Sequence, residues 1–167
     1  MGCSKLLISG INPNIEKALM LARREVGVLV HDSVLLEGIN FTLPEVNTLL
    51  EGVTVGGHSL SDQQIAVNQG NAWRYLFAAV KNGEFCFSLD FVCALHAVAG
   101  KEETLEWGCF RSGGVTIAGS NYLPPKTDEL KQKFAELLVA METFYDVNKR
   151  TGHLMMNGIL LAAGYID

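Results

Sequence analysis

METFYDVNKRTGHLMMNGILLAAGY, residues Met141 to Tyr165, sets a polar loop directly before an amphipathic helix. The loop runs from Glu142 to Asn148, a residue type that caps helices well, and Lys149 and Arg150 open the helix. Leu154, Met155, Ile159 and Leu161 fall near helical spacing, and Gly164 suits the C′ position. Such a junction favours an anion over residues 146 to 151. Backbone N–H groups and the positive end of the helix dipole point there, and Arg150 can add a bidentate phosphate contact.

Outward from this stretch the chain reads as helices. Ile15, Ala18, Leu19, Ala22, Val26, Leu29 and Val30 predict one amphipathic helix from about Pro13 to Leu36, ending at Gly38. Thr42 and Glu45 form a capping box for a short helix to Leu50. Ser61 and Gln64 form another, opening a helix to Lys81 that stops at Asn82-Gly83. Ser88 caps a helix to Ala99, on which His96 reads as a hydrogen-bonded structural residue. Residues 107 to 117 predict a β-hairpin around Ser112-Gly113-Gly114, and Thr127 caps a helix carrying Leu130, Phe134, Leu137, Leu138 and Met141 into the polar loop.

Composition narrows the class. A chain of 167 residues without low-complexity runs suits one domain over 1–167, and its apolar share of 49% never forms a run long enough to span a bilayer. No segment has the layout of a signal peptide, so a cytoplasmic protein is expected. A net charge of −5 without a basic cluster argues against nucleic acid and for a nucleotide or protein partner. Cysteines 3, 86, 93 and 109 form no C-x-x-C pair and read as reduced thiols.

Phe144, Asp146, Asn148, Lys149 and Arg150, followed by Thr-Gly and an apolar helix, resemble the active-site motif of Fic proteins, His-x-Phe-x-Asp/Glu-Gly-Asn-Gly/Lys-Arg-x-x-Arg. Ser33-Val-Leu-Leu-Glu37-Gly38 resembles the family's inhibitory motif, and Gly108-x-Phe110-Arg111 with Gly119, Tyr122, Pro124 and Pro125 resembles its flap. The likeness covers about 13–165. It implies a mainly α-helical bundle with a small β-hairpin flap (108–118), an inhibitory helix (13–38) and an active-site loop (142–153). It further implies ATP and magnesium, with Asp146 on the metal, Asn148, Lys149, Arg150 and residue 153 on phosphates, and the residue at 142 as base. Glu37, with Ser33 and Gly38 in its motif, would then reach the nucleotide site and salt-bridge the motif's second Arg. Arg111, Val115 and Ile117 would present a target protein to the site by strand addition. A homo-oligomer is also compatible with the family pattern.

Three positions depart from the motif: Glu142 replaces the His, Val147 the Gly, and His153 the second Arg. Lower basicity is the smaller matter, since only part of a difference of about two pKa units appears in a proton-transfer rate. A carboxylate about 5 Å from a phosphate is repelled by roughly 3 kcal/mol at an effective dielectric near 20. Val147 places a β-branched side chain where positive φ suits Gly, and His153 lacks a guanidinium fork. AMP transfer from ATP to a protein hydroxyl is one function these residues fit. A catalytically inactive nucleotide- or protein-binding regulatory domain is a second, and transfer of another phosphate-containing group, as in the related Doc kinases, is a third.

Overall fold

The computed structural model describes residues 12–116, 119, 121, 123–135 and 147–165, with only the backbone described over 133–135. The described residues are mainly helical, as the sequence predicts, and contain no strand. In chain order the helices are α1 (Ile15–Arg24), α2 (Val26–Leu35), α3 (Leu43–Leu50), α4 (Leu60–Asn82), α5 (Leu89–Ala99), a 3₁₀ turn (Thr127–Glu129), α6 (Leu130–Ala135) and α7 (Asn148–Ala162).

Helix α4 is the axis of the bundle. It is buried on a broad face, through Ala66, Gln69, Ala72, Trp73, Leu76, Phe77 and Val80, because α1, α2, α3, α5 and α7 all pack against it, and an exposed stripe runs through Asn71, Tyr75 and Ala78. Its 23 residues span about 35 Å. One contiguous core runs from Ala18 and Leu19 on α1 to Leu154, Met155 and Leu161 on α7. Gly158 lets α7 approach closely, since a Cβ there would lie 2.3 Å from Phe85 Cε2 and 2.9 Å from Leu76 Cδ1.

Local signals set most helix ends. Thr42 Oγ1 accepts from the Glu45 backbone N–H while the Glu45 carboxylate accepts from the Thr42 N–H at 2.7 Å, completing the predicted box. Ser88 caps α5, and Gly83 ends α4 with φ 72°. At the end of α7, Gly164 N–H donates to Leu161 O and Tyr165 N–H to Leu160 O, a Schellman pair around Gly164 at φ 86°. Gly164 O in turn accepts the Asn14 N–H at 2.9 Å, tying the start of α1 to the end of α7.

Elsewhere the structure differs from the sequence reading. The single helix expected over 13–36 breaks at Glu25 (φ −93°, ψ 6°) into α1 and α2. Past the break Gly27 packs against α3, where a Cβ would come within 2.1 Å of Asn47 Oδ1, so α2 follows α3 as well as α4. Ser59, not Ser61, caps α4 by accepting from the Asp62 N–H, and Gln64 donates to Asn68 instead of closing a box. Thr127 lies inside the 3₁₀ turn, whose first link is Glu129 N–H to Lys126 O. Residues 107–116 form bends and irregular chain rather than the expected hairpin strands. Buried Arg111 organises this stretch by donating to the carbonyls of Gly113, at 2.8 Å, and Pro125, so side-chain bonds do there what a ladder would have done. Ile117 lies outside the described residues.

Candidate functional site

A cleft of about 330 Å³ lies between the end of α2 and the start of α7, lined by Ser33, Leu36, Glu37, Lys149, Arg150 and His153. The fold thus brings together two groups of residues more than a hundred positions apart in sequence. Helix α2 ends in its own Schellman pair, Gly38 N–H to Leu35 O and Ile39 N–H to Val34 O, with Gly38 at φ 80°. That reversal holds Glu37 at the end of the helix, over α7. Ser33 is buried and donates to Leu29 O at 2.8 Å, so its hydroxyl is used within α2.

On the α7 side, Val147 occupies the cap position with φ 62° and ψ 12°, the left-handed conformation, although it is β-branched and only 1% exposed. Asn148 is consequently the first helical residue rather than the cap, and the cap position supplies no side-chain hydrogen bond. Lys149 and His153 are exposed at the cleft, whereas Arg150 is 4% exposed.

Arg150 is the electrostatic centre of the cleft. Its Nη1 donates to Glu103 Oε2 at 2.9 Å and its Nη2 to Glu103 Oε1, a bidentate fork, while its Nε lies 3.4 Å from Glu37 Oε1. Glu37 therefore pairs with Arg150, not with His153. Among the described residues, Nε makes no hydrogen bond of good geometry, and Thr151 Oγ1 on α7 is buried without a partner. Two carboxylates facing one guanidinium leave a buried donor under-used, an arrangement that suits replacement of a carboxylate by a better-fitting anion.

No family model matches the sequence. Curated relatives include the protein adenylyltransferase Fic of Aedes aegypti, 28% identical across 89% of this chain, and that of Drosophila melanogaster, 26% identical across 81%. The chain spans about a third of these relatives, 35% and 32% of their lengths. Among solved structures, a Fic family protein from Desulfovibrio desulfuricans superposes with a TM-score of 0.65 at 22% identity, over 89% of this chain and 57% of that one. A Fic domain containing signaling protein from Bacteroides thetaiotaomicron gives 0.74 at 17% identity, over 94% and 70%. The chain folds as a Fic domain.

Glu142 and Asp146, the candidate base and metal ligand, lie outside the described residues. The nucleotide candidates Asn148, Lys149, Arg150 and His153 all sit in the first two turns of α7, and Glu37 faces them. Arg111 is buried 2% exposed beneath its segment, with Val115 half-buried. His96 accepts the Gly108 N–H at Nδ1 (3.0 Å), holding the chain after α5, as expected of a structural histidine. Glu103 was not signalled by any motif. The cue lay in chemistry: a buried Arg requires carboxylate partners, and the Glu102-Glu103 pair follows Gly100, where α5 ends. No helix among the described residues is long and apolar enough to cross a membrane.

Proposed function

We propose that this Fic domain binds an ATP-type nucleotide over the start of α7 and serves as a regulatory nucleotide-binding domain, held shut by its own carboxylates, with little AMP transfer. The observation that carries this reading is Arg150, buried at a helix N-terminus beside a cleft and already paired with Glu37 from the inhibitory segment. Asn148, Lys149 and Arg150 take the phosphates, with His153 at the cleft edge in place of a guanidinium. Asp146 holds magnesium, which when bound neutralises phosphate charge. Glu142 stands where a base is needed and opposes the incoming phosphates. Ser33 and Gly38 position Glu37 as the inhibitory carboxylate. The segment with Val115 and Ile117, braced from below by Arg111, docks a target protein.

Active AMP transfer is a second reading, favoured by one observation. Val147 keeps the left-handed backbone that a Gly in the motif would adopt, so its substitution leaves the loop exit intact. In that case Glu142 accepts the proton of a target hydroxyl as its oxygen attacks the α-phosphorus and pyrophosphate leaves. Calorimetric titration of ATP with and without magnesium, into wild type and Lys149→Ala, tests the binding. Weak, magnesium-dependent binding that falls further in the variant is expected, and micromolar binding without magnesium overturns the assignment. Intact-mass measurement after incubation with candidate targets separates the two readings. An AMP adduct on the chain or on a target establishes transfer.

A further inference from the structure

We propose that Glu103 is the resident anion of the phosphate site: its carboxylate occupies the end-on edge of the Arg150 guanidinium, and a nucleotide gains that edge only by displacing it. This inference rests on the nucleotide reading above. A planar guanidinium offers an end-on edge, made by both Nη atoms, and a side edge that includes Nε. Glu103 holds the first through two hydrogen bonds, and Glu37 stands beside the second at 3.4 Å. A phosphate needs one of these edges for a bidentate contact, and both face carboxylates. Withdrawal of Glu37 alone consequently leaves Arg150 engaged.

The turn that carries Glu103 is built to present it. Glu103 N–H and Thr104 N–H both donate to Gly100 O at 3.2 Å, and Thr104 Oγ1 donates to Glu106 O at 2.8 Å. Asn68, buried on α4, reaches over to donate its side-chain N–H to Lys101 O at 2.7 Å. Glu102, immediately before Glu103, adopts φ 60°, a left-handed conformation uncommon outside Gly and Asn. Such strain persists where surrounding structure over-determines it, and here the determinants are the bonds that aim Glu103 at α7. The Glu103 side chain is 13% exposed against 26% for Glu37, so the deeper and better-bonded carboxylate is the one outside the inhibitory motif.

Calorimetry with ATP and magnesium on wild type, Glu103→Gln, Glu37→Gln and the double variant tests this. Gln keeps the shape and one acceptor while removing the charge. Affinity is expected to rise about tenfold in Glu103→Gln, about threefold in Glu37→Gln, and by more than the product of these in the double variant. Unchanged or weaker binding by Glu103→Gln, together with a lower melting temperature, overturns the proposal and makes Glu103 a structural anchor for Arg150. Phenylglyoxal labelling of Arg150, read by peptide mass, needs no nucleotide. Faster labelling in Glu103→Gln supports occupation of the fork by Glu103, and an unchanged rate refutes it. If labelling accelerates yet no form binds ATP or inorganic pyrophosphate, the nucleotide reading fails, and competition with phosphate fails with it.

Discussion

Replacing Val147 by Gly relieves a left-handed backbone, yet it should destabilise the protein. Val147 is 1% exposed at the junction of loop and α7, so deleting its side chain forfeits about 2 kcal/mol of burial. Glycine's extra freedom in the unfolded chain removes roughly a further 0.5–1 kcal/mol. Against this, Val147 sits at φ 62°, and relief of a left-handed β-branched residue returns about 1–2 kcal/mol. Packing wins. The expected net loss is about 0.5–2 kcal/mol, or roughly 1–8 °C in melting temperature for a chain of this size. Urea denaturation of wild type and Val147→Gly, with matched m-values, measures it. A loss of about 3 kcal/mol or more, the figure for an unstrained buried Val, would refute the left-handed backbone. A gain in stability would refute the claim that burial outweighs strain.

Three further outcomes are expected. The gain in ATP affinity on Glu37→Gln should be the same at pH 6 and pH 8, because Arg150 stays charged throughout, whereas a gain confined to pH 6 would make His153 the partner. Gly158→Ala should lower stability by about 1–2 kcal/mol, because the added methyl meets Phe85 and Leu76, although alanine is otherwise the better helix former; thermal melts decide the sign. The Thr42 backbone N–H first, then its hydroxyl and His58, hold the Glu45 carboxyl below its ordinary value of 4.5. That contribution is present above this value and is lost as pH falls through the lowered folded one, so the melting-temperature difference between wild type and Glu45→Gln should shrink from pH 6 to pH 3.

Features written in a few adjacent residues were legible in the sequence. Thr42 with Glu45, Ser88, Gly38, Gly83 and Gly164 each act within one turn of themselves, and each ends or starts a helix as read. Choices between near-equivalent neighbours were not legible. Ser59 and Ser61 are both good caps, and the chain's path into α4 selects the first. The break at Glu25 falls two residues before Gly27, which packs against Asn47 on another helix, a contact no local pattern announces. The site was half legible. Lys149, Arg150, Glu37 and His153 line one cleft, and the cation beside Glu37 is Arg150 rather than the residue at 153. Glu103 lies 47 residues from Arg150, and no spacing rule connects them.

The tie between Asn14 and Gly164 has a mechanical meaning. Helices α1 and α2 form an arm fastened at one end to the tail of α7, while Glu37 at its other end rests on the head of the same helix. Such an arm cannot swing clear as one rigid piece without parting the backbone bond at its root. Its elbow is Glu25, where the helical hydrogen bonding is interrupted, but α2 beyond it is held to α3 and α4, with Val30 and Val34 fully buried. Moving the whole arm would thus cost that bond and the α2 core contacts, whereas Glu37, 26% exposed at its tip, can leave Arg150 by side-chain rotation alone.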